Sequence, residues 1–198
     1  LQQLLKRFDI PVYTKQGTWR EIQDKLVVPK NQLIELTKGS LTLGNLIVEP
    51  FAVSHDAADP IGINVFSGND KATVVTDTGI ISDDILHRLD DSTLLVLEAN
   101  YDPHMLRFGP YQPFLKQRVA SDEGHLSNEM AAQALLMMKR PDFMQVILAH
   151  RSENNNNAVL VTQTIGKMLV DGGVRIGPEM KLQHGQPNEI VSMQSIKR

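Results

Sequence analysis

A layered α/β fold with a site at one sheet edge is what this sequence predicts, and three segments carry the prediction. Ala72-Thr73-Val74-Val75-Thr76-Asp77-Thr78-Gly79 is a short β-branched run that stops on a carboxylate and then on a glycine. Such a run, closed by turn residues, reads as a buried strand that delivers its last residue to the edge of a sheet. Val48-Glu49-Pro50-Phe51-Ala52-Val53-Ser54 likewise runs into His55, and Gln145-Val146-Ile147-Leu148-Ala149 runs into His150. Strands ending on His, Asp and His can converge on one edge, and these residue types bind Zn²⁺ or Mn²⁺.

In chain order, Leu1 to Phe8 has helical spacing with no capping residue ahead of it, which predicts a fragment or a processed chain. Ile10 to Tyr13 reads as a short strand and Thr18 to Leu26 as a helix with Thr18 as N-cap. From Leu33 to Ser54 the alternation shifts to period two, with turns at Gly39 and Gly44-Asn45, predicting two or three antiparallel strands. A polar loop from Asp56 to Pro60 leads to a strand from Gly62 to Ser67, and Gly68-Asn69-Asp70 turns into the Asp77 strand. Ser82 to Leu89 is a short helix. Ser92 to Glu98 is a further buried strand ending on a carboxylate. Asn100 to about Glu123 is too irregular for core and too rich in Pro and Gly for one helix. Ser127-Asn128-Glu129 opens an amphipathic helix to about Lys139, with Ala131, Ala132, Leu135, Leu136 and Met138 as its apolar face. After the His150 strand come a polar loop of four asparagines and a helix from about Ala158 to Val170, stopped by Gly172-Gly173. The remainder is weakly patterned. Without a repeat or linker, residues 1–198 read as a single domain, N-terminally incomplete.

Composition narrows the function classes. The 198 residues are 41% hydrophobic and 22% charged, ordinary for a soluble globular protein. No apolar run approaches the roughly eighteen residues of a membrane span, and no signal peptide is visible, so a cytoplasmic protein without a membrane partner is expected. There is no cysteine, so any metal must sit on His and carboxylate ligands. A net charge of −3 argues against a uniformly basic nucleic-acid binder but permits a local basic patch. A homo-oligomer is compatible with all of this.

Three constellations can carry chemistry. His55, Asp77 and His150 are metal-ligand types at strand ends, although each alone is also compatible with a structural His or a capping Asp. Glu98 and His125, the latter in Gly124-His125-Leu126-Ser127, can pair so that the carboxylate orients the imidazole and keeps it protonated as a general acid. The bland reading is that Ser127 is an N-cap and His125 merely precedes it. Arg107, Lys116 and Arg118, interleaved with Tyr101, Phe108, Tyr111 and Phe114, can grip phosphates and stack on bases, or form a solvated helix face. His87, His104 and His184 lack supporting partners in the sequence and receive no role.

Five motifs in order then become familiar: Val53 to Pro60; Thr76 to Gly79; Leu97 to Asp102 with Met105-Leu106; Gly124 to Asn128; and Leu148 to Ser152. From about Leu1 to Gly173 the chain resembles the YycJ-like (WalJ-type) hydrolases of the metallo-β-lactamase fold, relatives of tRNase Z and RNase J. The resemblance implies an αββα sandwich with a two-metal site of Zn²⁺ or Mn²⁺ at one edge. It also implies a metal-dependent 5′-to-3′ exonuclease with nucleic acid as partner, DNA before RNA. His55 then resembles a ligand of one metal, Asp77 the bridging carboxylate and His150 a ligand of the second. Glu98 and His125 resemble the pair that protonates the leaving group, with Arg107, Lys116, Arg118 and Ser152 as phosphate-binding candidates. The implied mechanism is attack of a metal-activated hydroxide on a phosphodiester.

The departure from that pattern is large. The family's H-x-H-x-D-H run, which lies just ahead of a helix like Leu1 to Phe8, is absent from this sequence, and three ligands do not build a two-metal centre. The chain by itself is therefore expected to be inactive or nearly so, with a partial metal site, unless another piece of the same protein supplies the run. Tyr101 stands where many relatives carry His and receives no catalytic role. Alternatives are a non-catalytic interaction module of the same fold and a thioester or lactone hydrolase, which the same metal chemistry supports.

Overall fold

Seven strands form one mixed sheet behind the site, in the order β3-β4-β5-β6-β7-β8-β9. The structure, a computed structural model, describes residues 1–29, 32–37, 39–186 and 189–192. Strands β3 (Leu41–Leu43), β4 (Leu46–Ala52), β5 (Ile61–Ser67) and β6 (Asp70–Val75) pair antiparallel, with tight turns joining β3 to β4 and β5 to β6 and the longer 53–60 loop joining β4 to β5. From β6 onward the pairing is parallel, through β7 (Leu94–Glu98), β8 (Met144–Ala149) and β9 (Met180–His184). Parallel neighbours need crossovers, and helices supply them. These are α3 (Asp83–Leu89) between β6 and β7, α4 (Pro103–Phe108), α5 (Pro113–Val119) and α6 (Asn128–Met137) between β7 and β8, and α7 (Ala158–Asp171) between β8 and β9. Because β6, β7 and β8 run parallel, their C-terminal ends meet at one edge.

The register puts Val75, Leu97 and Leu148 on the same face of adjacent strands, and all three are buried. They join Ile85 and Leu89 of α3, Ala131 and Leu135 of α6, and Val161, Ile165 and Leu169 of α7 in one core. On the other face, Val74, Val96 and Ile147 are paired in the same way yet only partly covered, with Val74 39% exposed. The core thus lies on the helix side of the sheet.

Ahead of the sheet, α1 (Gln2–Arg7), β1 (Val12–Thr14), α2 (Gln16–Ile22) and β2 (Leu33–Glu35) make a small unit in which β1 and β2 pair parallel across α2. Leu1 stands at the N-cap of the first helix and provides no side-chain cap. The unit grips the loop after His55: Lys15 pairs with Asp59 at 3.2 Å, Gly17 N–H donates to the Asp59 carboxylate, and the Thr18 hydroxyl donates to the Asp59 carbonyl.

Several expectations are corrected. The N-cap of α2 is Lys15 and Thr18 lies inside the helix, because its hydroxyl is spent on Asp59. Leu33–Glu35 pairs parallel with β1 rather than antiparallel with the next strand in the chain. The Asp77 strand ends at Val75, so Asp77 stands beyond the ladder. The 100–123 excursion carries α4 and α5, each begun by a proline, and buries Tyr101, Leu106 and Val119 in a small core of its own. Proline suits a first helical turn, where no N–H partner is lost. The weakly patterned tail contains edge strand β9, while residues 193–198 lie outside the described residues. His87 and His184 do have partners, Asp90 at 3.3 Å and the Thr162 hydroxyl at 2.9 Å, and the His104 ring lies against Phe108.

Candidate metal centre and active site

Strand ends β4, β6, β7 and β8 deliver the site. Asp77 and His150, each just past its strand, hold left-handed backbone at φ 58° and 53°. Non-glycine residues rarely sit there, and those that do need surrounding structure to hold them. For His150 that structure is the Asn100 side chain, whose amide donates to the His150 carbonyl at 2.7 Å. Asn156, itself buried, donates to the carbonyls of Ala99 and Asn100 and to Asn128 Oδ1, tying three segments together. The four-asparagine stretch, which reads as a polar loop, is thus partly an internal clamp, with Asn155 and Asn156 buried.

Glu98 is the centre of the hydrogen bonding. It is fully buried, and its Oε1 accepts from His125 Nδ1 at 2.8 Å and from His150 Nδ1 at 2.7 Å. Its Oε2 accepts from the backbone N–H of Thr78 at 3.1 Å and of Leu126 at 3.3 Å. Burial pushes the Glu98 carboxyl up, but the two imidazole hydrogen bonds, the His125 charge and the Thr78 N–H outweigh it and hold the group below the ordinary range. The Glu98 hydrogen bond in turn lifts the His150 imidazole above its usual value, against burial.

An ionised carboxylate only accepts, so His125 and His150 each present a protonated Nδ1 to Glu98 and turn Nε2 outward. His55 obeys the same logic, since its Nδ1 lies 3.1 Å from the Gly124 carbonyl, which also only accepts. Its Nε2 then faces Asp77 Oδ1 at 3.8 Å, while His150 Nδ1 lies 3.6 Å from the same oxygen. The three rings stand in a row, with His125 5.2 Å from His55 and 5.1 Å from His150.

Asp77, Glu98, His125 and His150 each offer a donor atom within 4.8 Å of the others. Carboxylate oxygen with imidazole nitrogen suits Zn²⁺ or Mn²⁺, so the residues fit a divalent metal. Within that group Glu98 is already saturated by four donors and works as the anchor that orients ligands. Asp77, about two-fifths exposed, and the imidazoles have capacity to spare.

Two glycines let the site close. A Cβ on Gly124 would lie 2.2 Å from the Arg118 carbonyl oxygen, and one on Gly79 would lie 2.3 Å from the Ser121 and Asp122 backbone. The 121–124 turn therefore packs directly on the end of α5 and on the segment after Asp77, and His125 N–H bonds the Val119 carbonyl.

The phosphate-binding candidates separate. Arg118 and Ser152 line a cavity of about 350 Å³ with His125, His150 and Asn100. Arg118 donates through Nε and Nη2 to Asp56, so its charge is shared with the loop that carries His55. The Ser152 hydroxyl accepts from Asn155 N–H at 3.1 Å. Arg107 and Lys116 line a different groove with Tyr101, Pro103 and Leu106, where Lys116 Nζ donates to the Arg107 carbonyl. Sequence reasoning missed Asn100 and Asn156, although an asparagine directly after the Glu98-Ala99 strand end was a usable signal.

Comparison with known proteins shows the family and the fold. Residues 1–150 match the family described as β-lactamase superfamily domain. Over 195 residues the chain is 32% identical to the exodeoxyribonuclease YycJ of Bacillus anthracis, covering 98% of this chain and 74% of that protein. It is 29% identical to the exodeoxyribonuclease WalJ of Streptococcus pneumoniae serotype 2, covering 98% and 73%. Among solved structures, the metallo-β-lactamase fold protein YhfI from Bacillus subtilis superposes with a TM-score of 0.60 at 15% identity, over 87% of this chain and 61% of that one.

Proposed function

We propose, from the premise that this chain belongs to the β-lactamase superfamily, that this metallo-hydrolase cleaves phosphodiesters and removes nucleotides from a 5′ end of DNA. The observation that carries the reading is the shared Glu98 carboxylate, which sets a metal-ligand imidazole and a proton-donating imidazole side by side. The exodeoxyribonuclease names of the two relatives support DNA as the substrate.

In this reading Asp77, His150 and His55 would hold divalent metal at the strand ends. When bound, such ions supply a hydrolytic nucleophile at neutral pH and neutralise charge developing on the phosphate. His125 holds a proton at Nε2, transfers it to the oxygen that leaves phosphorus, and keeps its Nδ1 proton on Glu98 throughout. Glu98 stays ionised, because four donors converge on it. Arg118 and Ser152 position the phosphate in the cavity beside His125. The H-x-H-x-D-H run does not occur within residues 1–198. Three ligands suffice for one ion and not for two, so this segment alone turns over slowly or not at all.

The test is nucleotide release from 5′-phosphorylated duplex DNA in Mn²⁺ by the full gene product and its Asp77→Ala variant. Activity in the wild type and its loss in the variant would support the site. A wild type that releases nothing with either Mn²⁺ or Zn²⁺ would end the nuclease reading.

A further inference from the structure

The segment from Pro103 to Ser121 differs from the rest of the chain in charge and in exposure. It carries Arg107, Lys116 and Arg118 and no carboxylate, in a protein whose net charge is −3. Two phenylalanines on it are open to solvent, Phe108 of α4 at 66% and Phe114 of α5 at 71%. Between α4 and α5 lies the groove of about 370 Å³ in which apolar Tyr101, Pro103, Leu106 and Ala120 stand beside Arg107 and Lys116. Arg118 is paired with Asp56. Arg107 and Lys116 meet no carboxylate among the described residues, for Lys116 Nζ donates to the Arg107 carbonyl and the Arg107 guanidinium lies 5.3 Å from the centre of the Phe108 ring.

Helix α5 itself connects this groove to the catalytic cavity. Its Leu115, Arg118 and Val119 line the cavity with His125 and His150, whereas its Lys116, Gln117 and Ala120 line the groove. Residues three and four apart share a helix face, so exposed Phe114 neighbours Gln117 on the groove side and Arg118 on the cavity side. A polyanion leaving the cavity over α5 therefore meets an open ring and then two cations within about 10 Å, the diameter of one helix. Cations that follow a backbone, interleaved with aromatic faces, hold an unpaired nucleic-acid strand without regard to sequence. A duplex would leave most of this surface idle. Its base faces are covered by their stacked neighbours, so only its phosphates could engage, whereas apolar walls and free rings suit the face of an unstacked base.

We propose that the groove between α4 and α5, with Phe108 and Phe114 beside it, binds the unpaired stretch of the DNA strand being cut, where that strand leaves the catalytic cavity. The proposal rests on the nuclease reading for its substrate. It narrows that substrate to DNA whose cleaved strand is single-stranded over the nucleotides next to the cut.

Binding and hydrolysis test it separately. The full gene product is titrated in EDTA against a fluorescent oligothymidine and against a duplex of the same length, with anisotropy as the readout. We expect the single strand to bind more tightly than the duplex, and Phe114→Ala and Arg107→Gln each to weaken single-strand binding about tenfold. Phe114→Trp keeps an aromatic face and should bind as the wild type does, while Arg107→Gln should lower the slope of log affinity against log salt by about 0.7. In Mn²⁺ the wild type should cut a duplex with a 5′ overhang faster than a blunt one, and Phe114→Ala should erase that preference. Equal oligothymidine affinity in wild type and both weakened variants, or no preference for single strand over duplex, would overturn the proposal. So would loss of binding to phosphatidylglycerol vesicles in Phe114→Ala with oligothymidine binding intact, which would make the rings a membrane contact. If oligothymidine binding depends on Phe114 but no DNA is hydrolysed with Mn²⁺ or Zn²⁺, the groove stands and the nuclease reading falls. An overhang preference that survives Phe114→Ala would keep the nuclease reading and overturn the groove as the path of the cut strand.

Discussion

Glu98 is the residue whose surroundings bind the site together, and its replacement by glutamine is the sharpest test at this scale. Glutamine keeps the shape but turns an amide N–H₂ toward either the two imidazole donors or the two backbone donors. In a fully buried position that clash should cost about 2–3 kcal/mol in urea unfolding measured with EDTA present. Zinc affinity, read by chelator competition, should drop roughly 10–100-fold as His150 loses its orientation. Unchanged affinity would show that Glu98 does not position the ligand. Asp77→Gly is expected to behave in the opposite way. Glycine occupies φ 58° without steric cost, so the metal-free variant should match wild-type stability to within about 1 kcal/mol or exceed it, while zinc binding is lost. A large destabilisation would instead mean that Asp77 has a structural role.

At the scale of elements, the turn from Ser121 to Gly124 links α5 to α6 and carries His125 to Glu98. The closeness of the Gly124 backbone to the Arg118 and Val119 carbonyls leaves no room for a methyl group. Gly124→Ala should therefore cost about 3 kcal/mol and break the His125–Glu98 hydrogen bond, seen as loss of a downfield Nδ1 proton signal in NMR. Retention of that signal would mean that the turn adapts without moving His125. The cap at the start of α6 is a milder device. Ser127 Oγ accepts from Met130 N–H at 3.2 Å, and its removal in Ser127→Ala should cost about 1 kcal/mol in denaturant unfolding, leaving zinc affinity in place. This helix start was legible because Ser-Asn-Glu before an apolar run is a local signal. The same stretch does not say that the preceding His125 pairs with a carboxylate 27 residues away.

For the whole molecule, stability comes from the helix-covered face of the sheet, and metal binding should add to it. Leu97, fully buried near the C-terminal end of β7, should cost about 3 kcal/mol when changed to alanine. Zinc at a hundred times its dissociation constant should stabilise by about 2.7 kcal/mol, roughly 5–10 °C in Tm for a chain of this size. Asp77→Ala should abolish that shift, and an equal shift in the variant would place the metal elsewhere.

The sequence by itself determined which residues arrive at the edge. A short apolar run closed by His55, Asp77, Glu98 or His150 is a local pattern, and strand propensity together with turn chemistry reads it directly. Tertiary structure alone decided how these residues meet. The parallel order β6-β7-β8-β9, the left-handed backbone at Asp77 and His150, and the sharing of one Glu98 oxygen by imidazoles 27 and 52 residues away depend on packing between distant segments. Asn156 behaves likewise, for its carbonyl partners lie 56 and 57 residues back along the chain. Local periodicity carries no information about such pairings, because the free energy that selects them comes from burying the shared core, which exists only once the strands are side by side.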